Sequence, residues 1–157
     1  MSEHIKKGFS FGLASGVITT LGLIVGLEAG TGSRLVVIGG ILVIAIADAM
    51  SDALGIHLSE ESSGLQSHKN VWRVTIATFL SKFFFALTFV IPIILFELQT
   101  AIIVSVIYGL ALIGAFSFYM GKQQDNKPWH TTFEHLFIAI VVIVITHYVG
   151  HWVALLG

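Results

Sequence analysis

The chain contains no cysteine, which removes disulfides, thiolate metal sites and cysteine nucleophiles from consideration at once. It is also poor in charge. Only 11% of its residues are Asp, Glu, Lys or Arg, where a soluble domain carries about a quarter. The net charge is −1, so no basic surface points to nucleic acid as a partner. What remains is apolar: 55% of the 157 residues are hydrophobic and the mean hydropathy is +0.92. These are the proportions of a chain made for lipid, long enough for one compact domain.

Five apolar stretches emerge, at about 8–28, 35–58, 71–96, 98–120 and 130–156. Each reaches the ~20 residues that a helix needs to cross ~30 Å of hydrocarbon. The expected fold class is therefore an all-α integral membrane protein, a single transmembrane domain of five helices. Turn-rich segments separate them: "EAGTGS", "SEESSGLQSHK", "ELQT" and "KQQDNKP". Pro128 stands where the fifth helix should begin, and Pro92 lies inside the third and is expected to kink it. The start resembles a signal peptide, because Lys6 and Lys7 precede an apolar run. That run is long for a signal sequence and lacks a convincing cleavage site, so it reads as a retained first span.

With the N-terminus in the cytoplasm, Lys6, Lys7, Lys69, Arg73, Lys122 and Lys127 all fall inside and Arg34 alone falls outside. This satisfies the positive-inside rule and sets the C-terminus outside. The remaining basic residue, Lys82, lies within a span.

The first span carries a stripe of small residues. Gly8, Gly12, Ser15, Gly16, Thr19, Gly22 and Gly26 fall within about 120° of one another on a helix. Small faces let helices approach closely in membranes. The stripe fits either packing within one chain or a seam between two copies.

The second span holds "IAIADAMSDALGIHLS", in which Asp48 and Asp52 share one helix face. Gly55 and Ser59 continue that face, and Ser51 lies beside it. Counting from the cytoplasmic end, Asp48 is roughly 15 Å deep, near the bilayer centre. A carboxylate there costs about 3 kcal/mol on insertion scales, and far more in simulations. His57, Glu60 and Glu61 would line a cytoplasmic mouth, joined by Glu134 and His135 at the start of the fifth helix. Such a column suits a divalent cation, since carboxylates take hard ions and imidazole takes first-row transition metals. Desolvation favours the neutral form of a carboxylate, so a proton and a metal could compete for the same oxygens.

A plainer reading stands beside this one. Lys82, about 16 Å deep by the same counting, is level with Asp48. It could neutralise Asp48 or Asp52 with no transport role at all, leaving the other acid uncompensated. His147 and His151, four apart near the outer surface, have a chelating spacing and mark a possible outer site. Beside Tyr148 and Trp152 they read more simply as interfacial residues. Trp72 and Trp129 read as cytoplasmic interface anchors, Glu28 and Glu97 as solvated span ends, and His4 and His68 as exposed.

The first two spans, "FGLASGVITTLGLIVGL" and "GGILVIAIADAMSDALGIHLS", resemble those of the vacuolar iron transporter family. The proline-containing third span is similar too. The most specific part is the S-x-A-L-G-x-x-L-S pattern from Ser51 to Ser59. The resemblance implies a homodimer that exports ferrous iron or manganese from the cytosol by proton exchange, along a path between subunits lined by the first two helices. No permanently bound cofactor is implied; the metal is cargo. Departures are plain. The family's first-helix aspartate falls on Ser15, its second-helix methionine on Asp52 and its glutamate on Ile56. Where the family carries a glutamate-rich cytoplasmic domain, only "SEESSGLQSHKN" stands. A carboxylate in place of a thioether shifts preference toward harder ions such as Mn²⁺, Mg²⁺ or Ca²⁺.

The sequence thus points to a divalent-cation transporter and not an enzyme. Asp48, Asp52, Ser51 and Ser15 would line its ion pathway, in a prokaryotic plasma membrane. The alternative is a small assembly or binding subunit whose Lys82–aspartate pairing is structural. An intramembrane metalloenzyme would need three or four converging ligands, and no motif supplies them.

Overall fold

The computed structural model describes residues 3–64, 67–123 and 127–156, and among these it contains helices and no strand. The helices are α1 (Glu3–Thr31), α2 (Arg34–Ser62), α3 (His68–Thr88), α4 (Val90–Leu95), α5 (Leu98–Gln123) and α6 (Pro128–Ala154). With α3 and α4 taken as one broken segment, five are long and apolar enough to cross a membrane. They extend beyond the apolar runs because polar ends continue the helices into the interface. The "EAGTGS" turn shrinks accordingly. Gly32, in the left-handed region at φ +56°, ends α1, and the Ser33 side chain accepts a hydrogen bond from Val36 N to start α2. Part of "KQQDNKP" lies outside the described residues, and Pro128 stands at the first turn of α6.

Helix α1 is the centre of the bundle. Leu13, Val17, Leu21, Ile24 and Val25 enter the core with Val37 and Ile41 of α2, Phe89 and Ile93 around α4, and Ala101 and Ile113 of α5. The small stripe of α1 faces two helices of the same chain. In its N-terminal half Gly8, Gly12 and Gly16 lie against Val74, Thr78 and Lys82 of α3; further on, Gly22, Gly26 and Gly30 lie against Val142, Thr146 and Gly150 of α6. Both are four-residue ladders between parallel helices. The glycines singled out in the sequence thereby take part in close packing within the chain.

The change of partner has a cause in α3. Its register on α1 pairs Val74 with Gly8, Thr78 with Gly12 and Lys82 with Gly16; carried on, it sets Thr88 level with Gly22. There α3 stops. Pro92 has no N–H to offer the Thr88 carbonyl, and its ring would crowd that oxygen. The helix breaks at Phe89, whose N–H turns back to Ala86 O at 3.2 Å. Tyr108 of α5 donates to Thr88 Oγ1 at 3.1 Å and secures the break. Segment α4 then packs on α5 and α2, leaving the upper stripe of α1 to α6.

A Cβ on Gly12 would come within 2.5 Å of the Thr78 carbonyl oxygen and 2.9 Å of Ser81 Cβ, whereas one on Gly39 would meet nothing within 4 Å. Gly12→Ala is therefore expected to cost about 1–3 kcal/mol, and Gly39→Ala to be neutral or to gain up to ~1 kcal/mol from helix propensity. Thermal unfolding of the purified protein in detergent reads the difference. Equal melting temperatures for the two variants would contradict the close α1–α3 approach.

Candidate ion site

Asp48 is the middle residue of α2, Lys82 is near the middle of the α3–α4 segment, and Ser15 is close to the middle of α1. At 1.5 Å per residue Asp48 is about 21 Å from either end of its helix. The three elements meet at this level. Lys82 Nζ lies 2.6 Å from Asp48 Oδ2 and 2.5 Å from Asp52 Oδ2. It also donates to Ser15 Oγ at 2.9 Å, and Ser15 donates in turn to Asp52 Oδ2 at 2.6 Å. An ammonium with three protons thus has three oxygen neighbours.

The two acids keep something in reserve. Lys82 is 1% exposed, but the side chains of Asp48 and Asp52 are 32% and 22% exposed. In each the Oδ2 atom meets the lysine, and among the described residues neither Oδ1 has a hydrogen-bond partner. One ammonium against two carboxylates leaves a formal charge of −1. Lys82 therefore neither neutralises the pair fully nor seals it away. Ser51, Gly55 and Ser59 lie exposed along the same side of α2, and a Cβ on Gly55 would meet nothing within 4 Å.

Toward one end of α2 the residues expected at the mouth divide into two groups. Glu60 is buried, not a surface collector of ions, and Lys7 of α1 is its partner. His57 Nδ1 lies 2.9 Å from Thr75 Oγ1 of α3. Because that hydroxyl donates to Val71 O at 2.8 Å, its oxygen is left to accept, which assigns the proton to Nδ1 of the imidazole. His57 Nε2 then faces the exposed Glu61 at 3.9 Å, and Trp72 stands edge-on to the His57 ring. Glu134 and His135 are elsewhere. His135 Nδ1 meets Ser117 of α5 at 2.8 Å, and Glu134 faces His130 on its own helix at 4.0 Å. They take their partners from α5 and α6, not from α2.

His147 and His151 are both exposed on α6, with the His147 ring against Tyr148. Among the described residues no three His, Asp or Glu side chains converge to hold a metal ion. Within the described residues the acidic ligands at this level are Asp48 and Asp52, with the Ser15 hydroxyl beside them. Sequence reasoning set Lys82 level with Asp48, and the structure brings the two together, but the sequence could not show that one ammonium reaches both acids. It also missed Lys7 as the partner of Glu60 and Thr75 as that of His57. The i,i+4 spacing of Asp48 and Asp52 was a signal for the first of these.

The comparisons extend this picture. Among curated proteins none matches the chain. A family model described as the VIT family matches residues 56–151, more than half of the sequence. The matched stretch includes Lys82 and His57 but begins after Asp48 and Asp52. A bundle of five membrane-length helices and this match agree: the chain belongs to the vacuolar iron transporter (VIT) family, a family of metal-ion transporters.

Proposed function

We propose that this protein exports a divalent metal of the Fe²⁺ or Mn²⁺ class from the cytoplasm in exchange for protons, as a homodimer. The observation that carries the reading is the formal charge of −1 left on Asp48 and Asp52 after Lys82 is counted, on two carboxylates that both remain partly exposed. A carboxylate facing hydrocarbon is costly enough that such residues face a protein interior or a water-filled path. A second copy across a two-fold axis would cover this side of α2 and bring two such charges together, matching one divalent ion. Four carboxylates around one path would also provide the oxygen ligands that a single chain lacks. Ser51 would add a weaker oxygen ligand, and Ser15 would stay with Lys82.

The N-terminus is assigned to the cytoplasm and the C-terminus to the outside, in a prokaryotic plasma membrane. Lys6, Lys7, Lys69, Arg73, Lys122 and Lys127 support this orientation. The rival reading, an assembly subunit with a purely structural ion pair, draws on the same Lys82 contacts and predicts no flux.

Reconstitution into liposomes separates the two. Mn²⁺ and Fe²⁺ are expected to cross, with an imposed pH gradient accelerating them, and Mg²⁺ and Ca²⁺ run beside them read how far the carboxylate at position 52 has shifted the preference. Asp52→Asn and Asp48→Asn should each reduce flux at least tenfold while the protein still purifies as a folded oligomer. Wild-type vesicles no leakier than protein-free ones would remove the proposal. Orientation has its own check, since the chain has no native cysteine to confuse labelling. In intact cells a membrane-impermeant thiol reagent should modify Thr31→Cys and spare Ser62→Cys. The reverse pattern would invert the assigned direction.

A further inference from the structure

We propose that the Lys82 ammonium is a tethered competitor for the transported cation, holding Asp48 and Asp52 while no cargo is bound and displaced from them when cargo arrives. The inference rests on the transport reading above and concerns how the site chooses its ion. It starts from the position of Nζ, 2.6 Å and 2.5 Å from the two Oδ2 atoms. A cation bridging two carboxylates would sit in just such a place, so the lysine marks the site by filling it. A metal ion bound there would be pushed away by the ammonium unless the ammonium moved.

Displacement is chemically open. Ser15 Oγ, 2.9 Å from Nζ, is a neutral acceptor that the ammonium can keep after leaving the acids. The lysine stem runs beside Gly16, where Lys82 Cα and carbonyl oxygen come within 3.1 Å of the place a Cβ would occupy. That contact anchors the residue's backbone and leaves adjustment to its flexible end. The partly exposed carboxylates, whose Oδ1 atoms have no hydrogen-bond partner among the described residues, offer an incoming ion a first foothold.

Competition of this kind discriminates by charge. A tethered ammonium acts at high effective concentration. A monovalent ion of equal charge gains nothing over it, whereas a divalent ion doubles the attraction to both carboxylates. Lys82 would thus exclude Na⁺ and K⁺ and set a floor on the divalent concentration that loads the site. It is a specificity-determining residue, not a metal ligand.

The test is Mn²⁺ flux into proteoliposomes against Mn²⁺ concentration, with and without excess Na⁺, for wild type, Lys82→Met and Lys82→Arg. Lys82→Met is expected to lower half-saturation about tenfold, to lower the maximal rate as release slows, and to make flux sensitive to Na⁺. Lys82→Arg, with a planar fork that grips carboxylates more firmly, should raise half-saturation by a similar factor. Should Lys82→Met not fold, the charge-conserving arginine variant decides alone. With wild-type flux intact, unchanged or opposite shifts in half-saturation overturn the inference and leave the transport reading standing. Absence of wild-type flux overturns both together.

Discussion

The burial of one ammonium between three helices is the constraint on which the rest of this bundle depends. Lys82 is 1% exposed near the middle of a membrane-length helical segment, where an unpaired charge would be prohibitively costly. It is tolerable because α1 and α2 both send oxygen to it. For α1 to do so its backbone must come very close to α3, and Gly16 makes that possible by having no side chain in the way. The neighbouring Ser15 then reaches the site with a hydroxyl short enough to bond both Lys82 and Asp52. A larger residue at position 16 would push α3 outward and leave the ammonium without its third neighbour.

The glycine ladders and the proline break belong to one arrangement. One helix face cannot hold two partners side by side at such short range, so α1 holds them in succession along its length. Gly8, Gly12 and Gly16 accept α3, and Gly22, Gly26 and Gly30 accept α6. The handover requires α3 to leave the stripe, and the hydrogen bond that Pro92 cannot donate to Thr88 supplies the departure. In membranes, where lipid is as apolar as a helix face, close contacts of this sort take over much of the role that hydrophobic burial has in water.

How much of this was legible in the sequence follows from what each signal measures. Hydropathy and turn chemistry are local, so the five membrane-length helices, the start at Pro128 and the interruption near Pro92 could all be read directly. The i,i+4 spacing of Asp48 and Asp52 is also local, and so is the depth of Lys82. Pairing between helices is not. The stripe on α1 announced close approach but not by which helix, since small residues fit any partner. Glu60 looked like a surface acid until α1 was seen to bring Lys7 beside it. Glu134 and His135 were assigned to a mouth on helix order alone, and they sit with α5 and α6 because α6 packs there and on α1.

Two helices in this chain are largely uncovered, and the difference between them bears on what surrounds the protein. Phe133, Phe137, Ile140, Val144 and Tyr148 are exposed on α6, and hydrocarbon is a sufficient neighbour for most of that surface. The uncovered surface of α2 includes Leu54 and Leu58, but among such apolar residues it also carries Asp48, Ser51, Gly55 and Ser59. Lipid can satisfy none of their polar groups, and an exposed glycine gains nothing from contact with mobile acyl chains. A protein surface, by contrast, can pack against the small residues and share an aqueous path along the acids. Exposure of this kind suits lipid on α6, whereas on α2 part of the exposed surface is polar. The charge left over beside Lys82 says what that shared space is suited to hold.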